Sequence, residues 1–426
     1  MRLTDTIAAR LLARVPGEAD VGAWHRGDAT VVGVGVEEVV VGDGAAALAR
    51  LDDLGPGTWV GWLAFELGHA IETVVCRGAG REPPAVRDVV FARFGAHAVI
   101  TPDGSISVEG DGAGHAVLHA ARRRVGSSPR EAPPLDTCPT ALEWASSLDR
   151  DAFEARVDAI VELLLAGECY QVNLTRRLTS PTVVDPLALY RRLACSHPAP
   201  HLALLRLRDA RVGHVAVVSA SPERFLRVDG RRVETQPIKG TAPDAHSLRG
   251  SAKDHAENVM IVDLARNDLG RVCEPGTIHV PSLFAVEAHP GLHHLVSTVC
   301  GTLRDDVGMG ALVAAAFPPA SVTGAPKPRV LQAIDDLEPV RRGVYCGGIG
   351  WIDTERRCAD LAVAIRTFCV FDDRTELGVG AGIVADSSPT AEWEETALKA
   401  SRLLAVASAT SEGVPARPVG TLAAAR

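Results

Sequence analysis

The sequence lacks the marks of disulfide-stabilised, nucleic-acid-binding and membrane-spanning proteins. Its nine cysteines are scattered with no CxxC pair, which argues against a disulfide framework or a zinc ribbon and favours a reducing compartment. Lysine and arginine (44) are outnumbered by aspartate and glutamate (53), and the formal net charge of −9 disfavours binding to phosphate backbones. The longest uncharged stretch, 307–326, contains Pro318 and Pro319 and is no membrane span.

The composition is that of a large globular protein. Of the 426 residues, 46% are apolar and 23% are charged, which excludes disorder over most of the chain. Asp5 and Arg10 interrupt the segment where a signal peptide needs an apolar core, so we expect a cytoplasmic protein.

One segment has the composition of a linker. Residues 125–140 are rich in serine and proline, which favour irregular, extended chain. We therefore predict an N-terminal region over 1–124, this linker, a catalytic domain over 141–408 and a flexible tail over 409–426.

Helix and strand patterns are mixed without regular alternation. Residues 1–100 are predicted as short strands and turns, and apolar residues on one face predict a helix that begins at Asp149 or Asp151. Two further helices are predicted over about 251–268 and from Ser388 to about 408. Strands are predicted over 88–100, 105–109, 170–178, 201–208, 213–219, 224–235, 343–352, 359–371 and 376–384. This mixture favours an α+β architecture with antiparallel sheets.

Two predicted helices each carry acidic residues three positions apart. Asp254 and Glu257 lie on one helix, and Glu392 and Glu395 lie on the other. This spacing places both carboxylates of a pair on one helical face, and two such faces opposed would suit Mg²⁺. Solvated surface charge is the alternative. Lys399, four residues after Glu395, fits either a salt bridge with it or contact with a substrate carboxylate.

Lys239 and Glu223 are candidates for covalent and acid–base chemistry. Lys239 lies between an aliphatic residue and a glycine, where desolvation would lower its pKa and make it a better nucleophile, although an ordinary turn lysine is the alternative. Glu223 precedes an apolar strand and fits either a general acid or an ion pair with Arg224 or Lys239. His294, next to His293, fits a site residue or a buried core histidine.

The glycine-rich segment 378–382 lacks the spacing of a dinucleotide-binding loop. It predicts instead a strand whose backbone another group approaches closely. Residue types and spacing alone thus indicate a Mg²⁺-dependent enzyme that acts on an anionic substrate.

Nine segments taken together resemble the chorismate-utilising enzymes. That family includes the component I subunits of anthranilate and aminodeoxychorismate synthases, and the isochorismate and salicylate synthases. The segments occur in the family's order at 167–178, 219–226, 234–244, 256–273, 293–303, 317–330, 343–352, 364–368 and 380–401, and the N-terminal third resembles the family chiefly through 61–68. The resemblance implies an anthranilate synthase component I-like fold, with antiparallel sheets packed as a sandwich and flanking helices.

Two positions distinguish branches of the family. Relatives that add water to chorismate carry lysine where this chain has Gln171, which weighs against isochorismate or salicylate synthase. Anthranilate synthases carry alanine, and aminodeoxychorismate synthases lysine, at the position of Lys239. The resemblance therefore implies amination of chorismate at C4. The alternatives are anthranilate synthase component I and a catalytically silent chorismate-binding regulatory subunit.

The resemblance also implies how the reaction proceeds. Lys239 would attack ring carbon C2, Glu223 would protonate the departing C4 hydroxyl, and ammonia would then attack C4 and expel the lysine. The positions that match the family's Mg²⁺ site, first the direct ligands and then the supporting acidic residues, are Glu257, Glu395, Asp254 and Glu392.

Further matched positions would contact the substrate. Arg366 and Lys399 would hold carboxylates, because a planar guanidinium suits bidentate binding. The other positions that the resemblance places in the pocket, near the ring or near the leaving group are Tyr345, Gly380, Gly382, Gly240, Thr241, Gln171, His294 and Ser321.

The resemblance implies two partner proteins. Ammonia would come from a separate glutamine amidotransferase subunit or from free ammonium, because no glutaminase-like segment is recognised. The product would be 4-amino-4-deoxychorismate, which a separate lyase would convert to p-aminobenzoate for folate or an antibiotic. Residues 23–26 stand where feedback-regulated relatives carry Leu-Leu-Glu-Ser, so no tight tryptophan regulation is expected.

Overall fold

The computed structural model describes residues 2–74, 85–126, 142–242, 244–289 and 292–408. The predicted linker lies outside the described residues, except for its first two, which end a helix. The predicted tail over 409–426 also lies outside them.

Within these ranges the chain alternates irregularly between helices and strands. The helices are α1 (Leu3–Leu12), α2 (Ala49–Asp52), α3 (Leu67–Ile71), α4 (His115–Gly126), α5 (Arg150–Leu165), α6 (Pro186–Ser196), α7 (Ala245–Gly250), α8 (Ala252–Gly270), α9 (Met309–Ala316), α10 (Lys327–Leu337) and α11 (Pro389–Ser408). The strands are β1 (Val21–Arg26), β2 (Ala29–Gly42), β3 (Thr58–Leu63), β4 (Val89–Ile100), β5 (Ile106–Gly110), β6 (Ala145–Ser146), β7 (Gln171–Ser180), β8 (His201–Asp209), β9 (Gly213–Ser221), β10 (Arg224–Asp229), β11 (Arg232–Gln236), β12 (Ile238–Ala242), β13 (His279–His289), β14 (Leu292–Thr302), β15 (Gly324–Ala325), β16 (Gly348–Asp353), β17 (Cys358–Val363), β18 (Thr367–Phe371) and β19 (Thr375–Ile383). Short 3₁₀ turns occupy Ala45–Leu48 and Ala320–Val322.

The strands pair antiparallel throughout the described residues, so the predicted α+β class is confirmed. Strand β3 shows how the layers form. Val60 and Trp62 pack into a cluster of strand and loop residues, whereas Trp59 and Leu63 join a cluster shared with helices. Because successive strand side chains point to opposite faces, this strand is buried on both sides. The result is the predicted sandwich of antiparallel sheets with flanking helices.

The N-terminal region shares its sheets with the rest of the chain. Strand β1 pairs with β8, so that Ala23 lies opposite Leu204. Strand β3 pairs with β16, so that Trp62 lies opposite Ile349. The strands of 1–124 therefore contribute directly to the layers that carry the C-terminal segments.

Several local predictions can be compared with the structure. The helix at Asp149 is confirmed, because its carboxylate accepts the backbone N–H of Ala152 at 2.8 Å and so caps α5. The prediction of only strands and turns over 1–100 is wrong at α1, α2 and α3. The single strand predicted over 224–235 is a hairpin, with Gly230 at φ 61° in the turn.

Two more strand predictions need correction. Residues 343–347 form a turn before β16, and Gly343 adopts φ 64° there. The run over 359–371 is two strands, β17 and β18, separated by Arg366, which has φ 51°. A separate finding concerns the helices: none that the structure describes has both the length and the apolar character needed to cross a bilayer.

Candidate active site

Lys239 lies at an irregularity in strand β12. It pairs with Leu295 of β14, the next pair is Thr241 with His294, and Gly240 is the extra residue of this β-bulge. Gly240 has φ 78°, and a Cβ there would lie 2.9 Å from the Cγ of Asp254. The bulge therefore needs glycine both for its backbone and for space, and it brings Asp254 of α8 against the strand next to Lys239.

The amine of Lys239 is enclosed by polar groups. Its Nζ lies 3.4 Å from Oε1 of Gln171 and 3.8 Å from Oε2 of Glu257, and its side chain is 13% exposed. Burial lowers the pKa of Lys239 below its ordinary value, an effect opposed by Glu257 and reinforced by Lys399. The lower pKa increases the fraction of Lys239 that is neutral, and the neutral amine is the form that can act as a nucleophile.

Gln171 presents an unused donor beside this lysine. The side chain is fully buried at the start of β7, and among the described residues its Nε2 has no hydrogen-bond partner. A buried amide nitrogen without a partner is costly, and a bound ligand relieves that cost. The carboxamide of Gln171 thus accepts a hydrogen bond from Lys239 through its oxygen, and its nitrogen is left to donate to a ligand bound beside Lys239.

Glu223 lies in the turn between β9 and β10, 4% exposed. Burial raises its pKa to about 7, although the hydroxyl of Ser321, the charge of Lys239 and the backbone N–H of Ile238 oppose the rise. An acid with this pKa can donate a proton near neutral pH. Glu223 is not paired with Arg224, whose guanidinium lies 3.1 Å from both Asp360 and Glu234, so that alternative is excluded. These two carboxylates occupy Arg224 instead.

One acidic residue from each of α8 and α11 acts on Lys239. Glu257 contacts it, and Glu395 acts on it through its charge. Burial alone would raise the pKa of Glu395, but the ion pair with Lys399 at 2.6 Å outweighs burial and lowers it. Glu392 is turned away, because its carboxylate accepts the Ser387 hydroxyl at 2.7 Å, and burial raises its pKa.

The carboxylates near Lys239 suit a Mg²⁺ ion that takes only two of its ligands from the protein. Within the described part of the chain, no three His, Cys, Asp or Glu side chains lie close enough to enclose a metal ion. Mg²⁺ commonly takes one or two protein carboxylates and completes its shell with water and substrate oxygens. Glu257 of α8 and Glu395 of α11, hard oxygen donors that both act on Lys239, match that arrangement.

Three alternate glycines of β19, Gly378, Gly380 and Gly382, lie between Tyr345 and Lys239 and are called the glycine floor below. A Cβ on Gly382 would lie 3.0 Å from Nε2 of Gln171 and 3.4 Å from Nζ of Lys239, and the ring of Tyr345 lies directly against Gly378. Because alternate residues share a face, the three glycines span about 13 Å of one surface. The predicted close approach to this strand is confirmed.

Lys399 and Tyr345 mark two sides of this floor. Lys399 donates from Nζ to the carbonyl of Gly380 at 3.0 Å, which anchors α11 to β19. Tyr345 is half-buried beside Cys346 and Arg342, and burial raises the pKa of its phenol. The ring of Tyr345 contacts β19 at Gly378, four residues before Gly382, the glycine next to Lys239.

Arg366 acts on Glu223 through its charge. Burial and the charge of Arg402 lower the pKa of Arg366 to about 10, while Glu223 opposes the fall, so the guanidinium remains charged at neutral pH. Its Nη1 lies 3.4 Å from Nε2 of His197. His294, on β14 opposite Thr241, is 1% exposed beside the bulge.

Several groups near the site do not emerge from the sequence motifs. Lys253 lies 3.8 Å from Glu257, a pair that the spacing of four on a helix could have indicated. The backbone N–H of Ile238, which bonds to Glu223, and Arg402, which acts on Arg366, carry no sequence signal. Both depend on how distant segments pack.

Comparison with known proteins gives a consistent result. The family model described as chorismate binding enzyme matches residues 36–405. Aminodeoxychorismate synthase component 1 of Salmonella typhimurium is 42% identical over 271 residues, which cover 61% of this chain and 58% of that protein. An anthranilate synthase component 1 of Haloarcula marismortui is 36% identical over 371 residues, covering 81% of this chain and 72% of that protein. The chain spans less than two thirds of the length of the aminodeoxychorismate synthase relatives that it matches.

The fold has a clear counterpart among solved structures. Anthranilate synthase component I of Streptococcus pneumoniae superposes with a TM-score of 0.76 at 24% identity, over 89% of this chain and 93% of that chain. This likeness confirms the predicted anthranilate synthase component I-like fold.

Proposed function

This chain belongs to the family of chorismate binding enzymes, and from that premise we propose that it replaces the C4 hydroxyl of chorismate with an amine to give 4-amino-4-deoxychorismate. The observation that carries the proposal is a partly buried lysine amine, Lys239, held by Gln171 and Glu257 at the bulge of β12. Alanine at that position could not form a covalent bond to the ring, so the lysine favours C4 amination over anthranilate formation.

The reaction divides one difficult displacement into two allylic ones. The neutral amine of Lys239 bonds to C2, both double bonds of the ring diene shift by one position, and the C4–O bond breaks as Glu223 protonates the hydroxyl, which leaves as water. Ammonia then bonds to C4, both double bonds shift back, and the C2–N bond breaks to release Lys239. The new ammonium group returns a proton to the Glu223 carboxylate, which completes the cycle.

The surrounding residues bind and orient the substrate. Arg366 and Lys399 supply positive charge for its carboxylates, and Ser321 and Ile238 hold the carboxyl of Glu223. The glycines of β19 let the side chains around Lys239 lie directly against the strand. Glu257 and Glu395 would hold Mg²⁺, which when bound neutralises and positions the ring carboxylate. Ammonia is proposed to come from a separate glutaminase subunit.

Product analysis tests the proposal. Purified protein is incubated with chorismate, Mg²⁺ and ammonium, with and without an added aminodeoxychorismate lyase. We expect p-aminobenzoate only when the lyase is present. Fluorescent anthranilate without lyase would show the anthranilate synthase reaction instead, and chorismate binding without turnover would show a silent subunit.

A trapped adduct tests the role of the lysine separately. Mass spectrometry of protein quenched during turnover should find the adduct on the peptide that contains Lys239. Lys253→Ala is the matched control, because Lys253 also pairs with Glu257 but is 66% exposed, and it should retain the adduct. Full turnover of Lys239→Ala without any adduct would refute the covalent route.

A further inference from the structure

Asn258 of α8 is a fully buried polar residue where the helix meets strand β14. It directly follows Glu257 in the helix, and none of its surface is exposed. Its Nδ2 donates to the carbonyl of Leu295 at 3.4 Å, and its Oδ1 accepts the hydroxyl of Ser297 at 2.5 Å. A buried carboxamide is stable only when it is hydrogen bonded, and both ends of this one are.

The two residues of β14 that Asn258 binds connect it to two other strands. Leu295 is the register partner of Lys239 in β12. The hydroxyl of Ser297 also accepts the backbone N–H of Phe284 in β13, at 3.1 Å. Asn258 therefore links α8, through a single strand, both to the strand that carries Lys239 and to β13.

Phe284 has an unfavourable backbone conformation that this junction stabilises. It is not a glycine and yet has φ 60°, and it lies at an irregularity of β13 between Ser282 and Ala285. Such a conformation persists only where the surroundings hold it, and it is typical of functional sites. Here Phe284 is held by Ser297 and by its ring, which stacks on His255 of α8 with the centroids 4.5 Å apart.

Adhesion of α8 to the core does not require Asn258. Val262 and Leu269 of the same helix belong to the main core cluster and are 6% and 1% exposed. Apolar burial supplies most of the stabilisation and has no preferred direction, whereas a hydrogen bond requires a defined geometry. A buried hydrogen bond also adds little net stability, because it replaces bonds to water. What Asn258 adds is a defined position of α8 along β14.

That position decides where the carboxylate of Glu257 lies. Neighbouring residues of a helix point about 100° apart, so Asn258 can face β14 while Glu257 faces Lys239. The Oε2 atom of Glu257 is 3.8 Å from Nζ of Lys239. A slide of α8 by the rise of one residue, about 1.5 Å, would be enough to separate these two groups.

We propose that Asn258 is a positioning residue, which sets the distance between the carboxylate of Glu257 and the amine of Lys239. It acts through the carbonyl of Leu295 and the hydroxyl of Ser297 and, being fully buried, does not contact the substrate. The inference rests on the proposed function only for the reaction that this distance serves. In that reaction, the distance keeps the nucleophile beside a carboxylate that would hold Mg²⁺.

A zero-length cross-link measures the distance without metal or turnover. A carbodiimide activates a carboxylate, and a neighbouring amine then forms an amide with it while the activating group leaves as a urea. Glu257 lies 3.8 Å from Lys239 and also 3.8 Å from Lys253, so one activated carboxylate can form either cross-link. Lys253 is in the same helix as Glu257, and its cross-link is the internal control. Mass spectrometry measures the ratio of the two.

Asn258→Leu keeps a side chain of similar size but has neither donor nor acceptor. The ratio of the Lys239 cross-link to the Lys253 cross-link should fall about tenfold in this variant. Asn258→His retains a ring nitrogen that can form one of the bonds and should recover part of the ratio. Ser297→Ala removes only one of the two bonds, so it should give a smaller fall and is the milder variant if Asn258→Leu folds poorly.

A second buried polar residue serves as the matched control for stability. Thr30 of β2 is fully buried, and its hydroxyl donates to Asp5 of α1 at 2.9 Å. Thr30→Val should lower Tm and leave the cross-link ratio at its wild-type value. In the amination assay at saturating chorismate and Mg²⁺, Asn258→Leu should lower kcat about tenfold, whereas Thr30→Val should leave it unchanged.

The outcomes separate a positioning role from a structural one. If Asn258→Leu lowers Tm while the cross-link ratio and the kcat of the folded protein stay at wild-type values, the role is structural and the proposal is overturned. Absence of the Lys239 cross-link in the wild type would also overturn it, because the contact would not form in solution. A ratio that falls in a chain unable to aminate chorismate would support the positioning role and refute only the proposed function.

Discussion

The pKa of Glu223 predicts the alkaline side of the pH–rate profile. Burial raises this pKa to about 7, and the proposed step needs the protonated acid. About half of the molecules carry the proton at pH 7 and about a tenth at pH 8, so kcat should fall about fivefold over that interval. Glu223→Gln should abolish this decline and lower kcat by about 10²-fold or more.

Ser321 provides a sharper test, because its effect has a definite sign. Its hydroxyl hydrogen bonds to the Glu223 carboxyl and lowers the pKa of that acid. Ser321→Ala removes a bond that favours the ionised form, so the pKa should rise and the decline should move to higher pH by about half a unit. Ser321→Thr keeps a hydroxyl and should leave the decline near its wild-type position.

The assay measures kcat at saturating chorismate, with the concentration of free ammonia held constant as the pH is varied. The acidic limb reports the second requirement, a neutral Lys239, and both limbs are properties of the coupled pair. A decline in Ser321→Ala that is unmoved, or shifted to lower pH, would refute the assignment of Glu223 as the acid that titrates near pH 7.

Thermal unfolding provides a readout of the same group that does not involve turnover. Because the pKa of Glu223 is higher in the folded state than its ordinary value of 4.5, the folded protein binds the extra proton between about pH 4.5 and 7. Its stability therefore falls, relative to the unfolded chain, as the pH rises through that window. Glu223→Gln removes the buried charge and should raise Tm at pH 8 but not at pH 4. Equal changes at both pH values would contradict this reasoning.

Three further predictions concern the metal, the glycine floor and the core. Glu257→Gln should raise the Mg²⁺ concentration needed for half-maximal rate by about tenfold, measured by titration of the metal, because a carboxylate donor is lost. An unchanged requirement would exclude Glu257 as a ligand. Gly378→Ala should weaken chorismate binding and lower Tm, since the added methyl group would overlap the ring of Tyr345, and wild-type behaviour of both would contradict the packing. Arg342→Met should lower the free energy of unfolding by about 3–5 kcal/mol in denaturant titrations, because it leaves Glu338 charged and buried at 3% exposure, and a loss below 1 kcal/mol would count against it.

The strongly patterned elements could be predicted from the sequence. The spacing of apolar residues and the cap at Asp149 identify α5, and the proline after Ser388 identifies α11. Helix α1 could not be found in this way, because Asp5 and Arg10 interrupt its apolar pattern although both are buried. Asp5 is accommodated by His25 at 2.7 Å and Thr30 at 2.9 Å, partners that only the folded chain supplies.

In the candidate active site, too, the sequence predicts some residues and misses others. Residue types, spacing and family resemblance identify Lys239 and Glu257, and the structure places them in contact. The neighbours that set the pKa of Glu223 could not be predicted, because Ile238 and Ser321 reach it from segments far apart in the chain. The position of Arg402 could not be predicted from the sequence either, because it depends on how α6 and α11 pack against each other.

The pairing of β3 with β16 has a consequence for the way the chain is made. Gly57, at the start of β3, hydrogen bonds to Thr354, just beyond β16, across 297 residues of sequence. During synthesis, most of the polypeptide must therefore leave the ribosome before β16 can pair with β3, although its other neighbour, β4, is made early. The side chains on both faces of β3, which include Trp59 and Trp62, remain without their full packing and open to solvent or chaperones until then. Slowing translation late in the message should accordingly harm the yield of folded enzyme more than slowing it early.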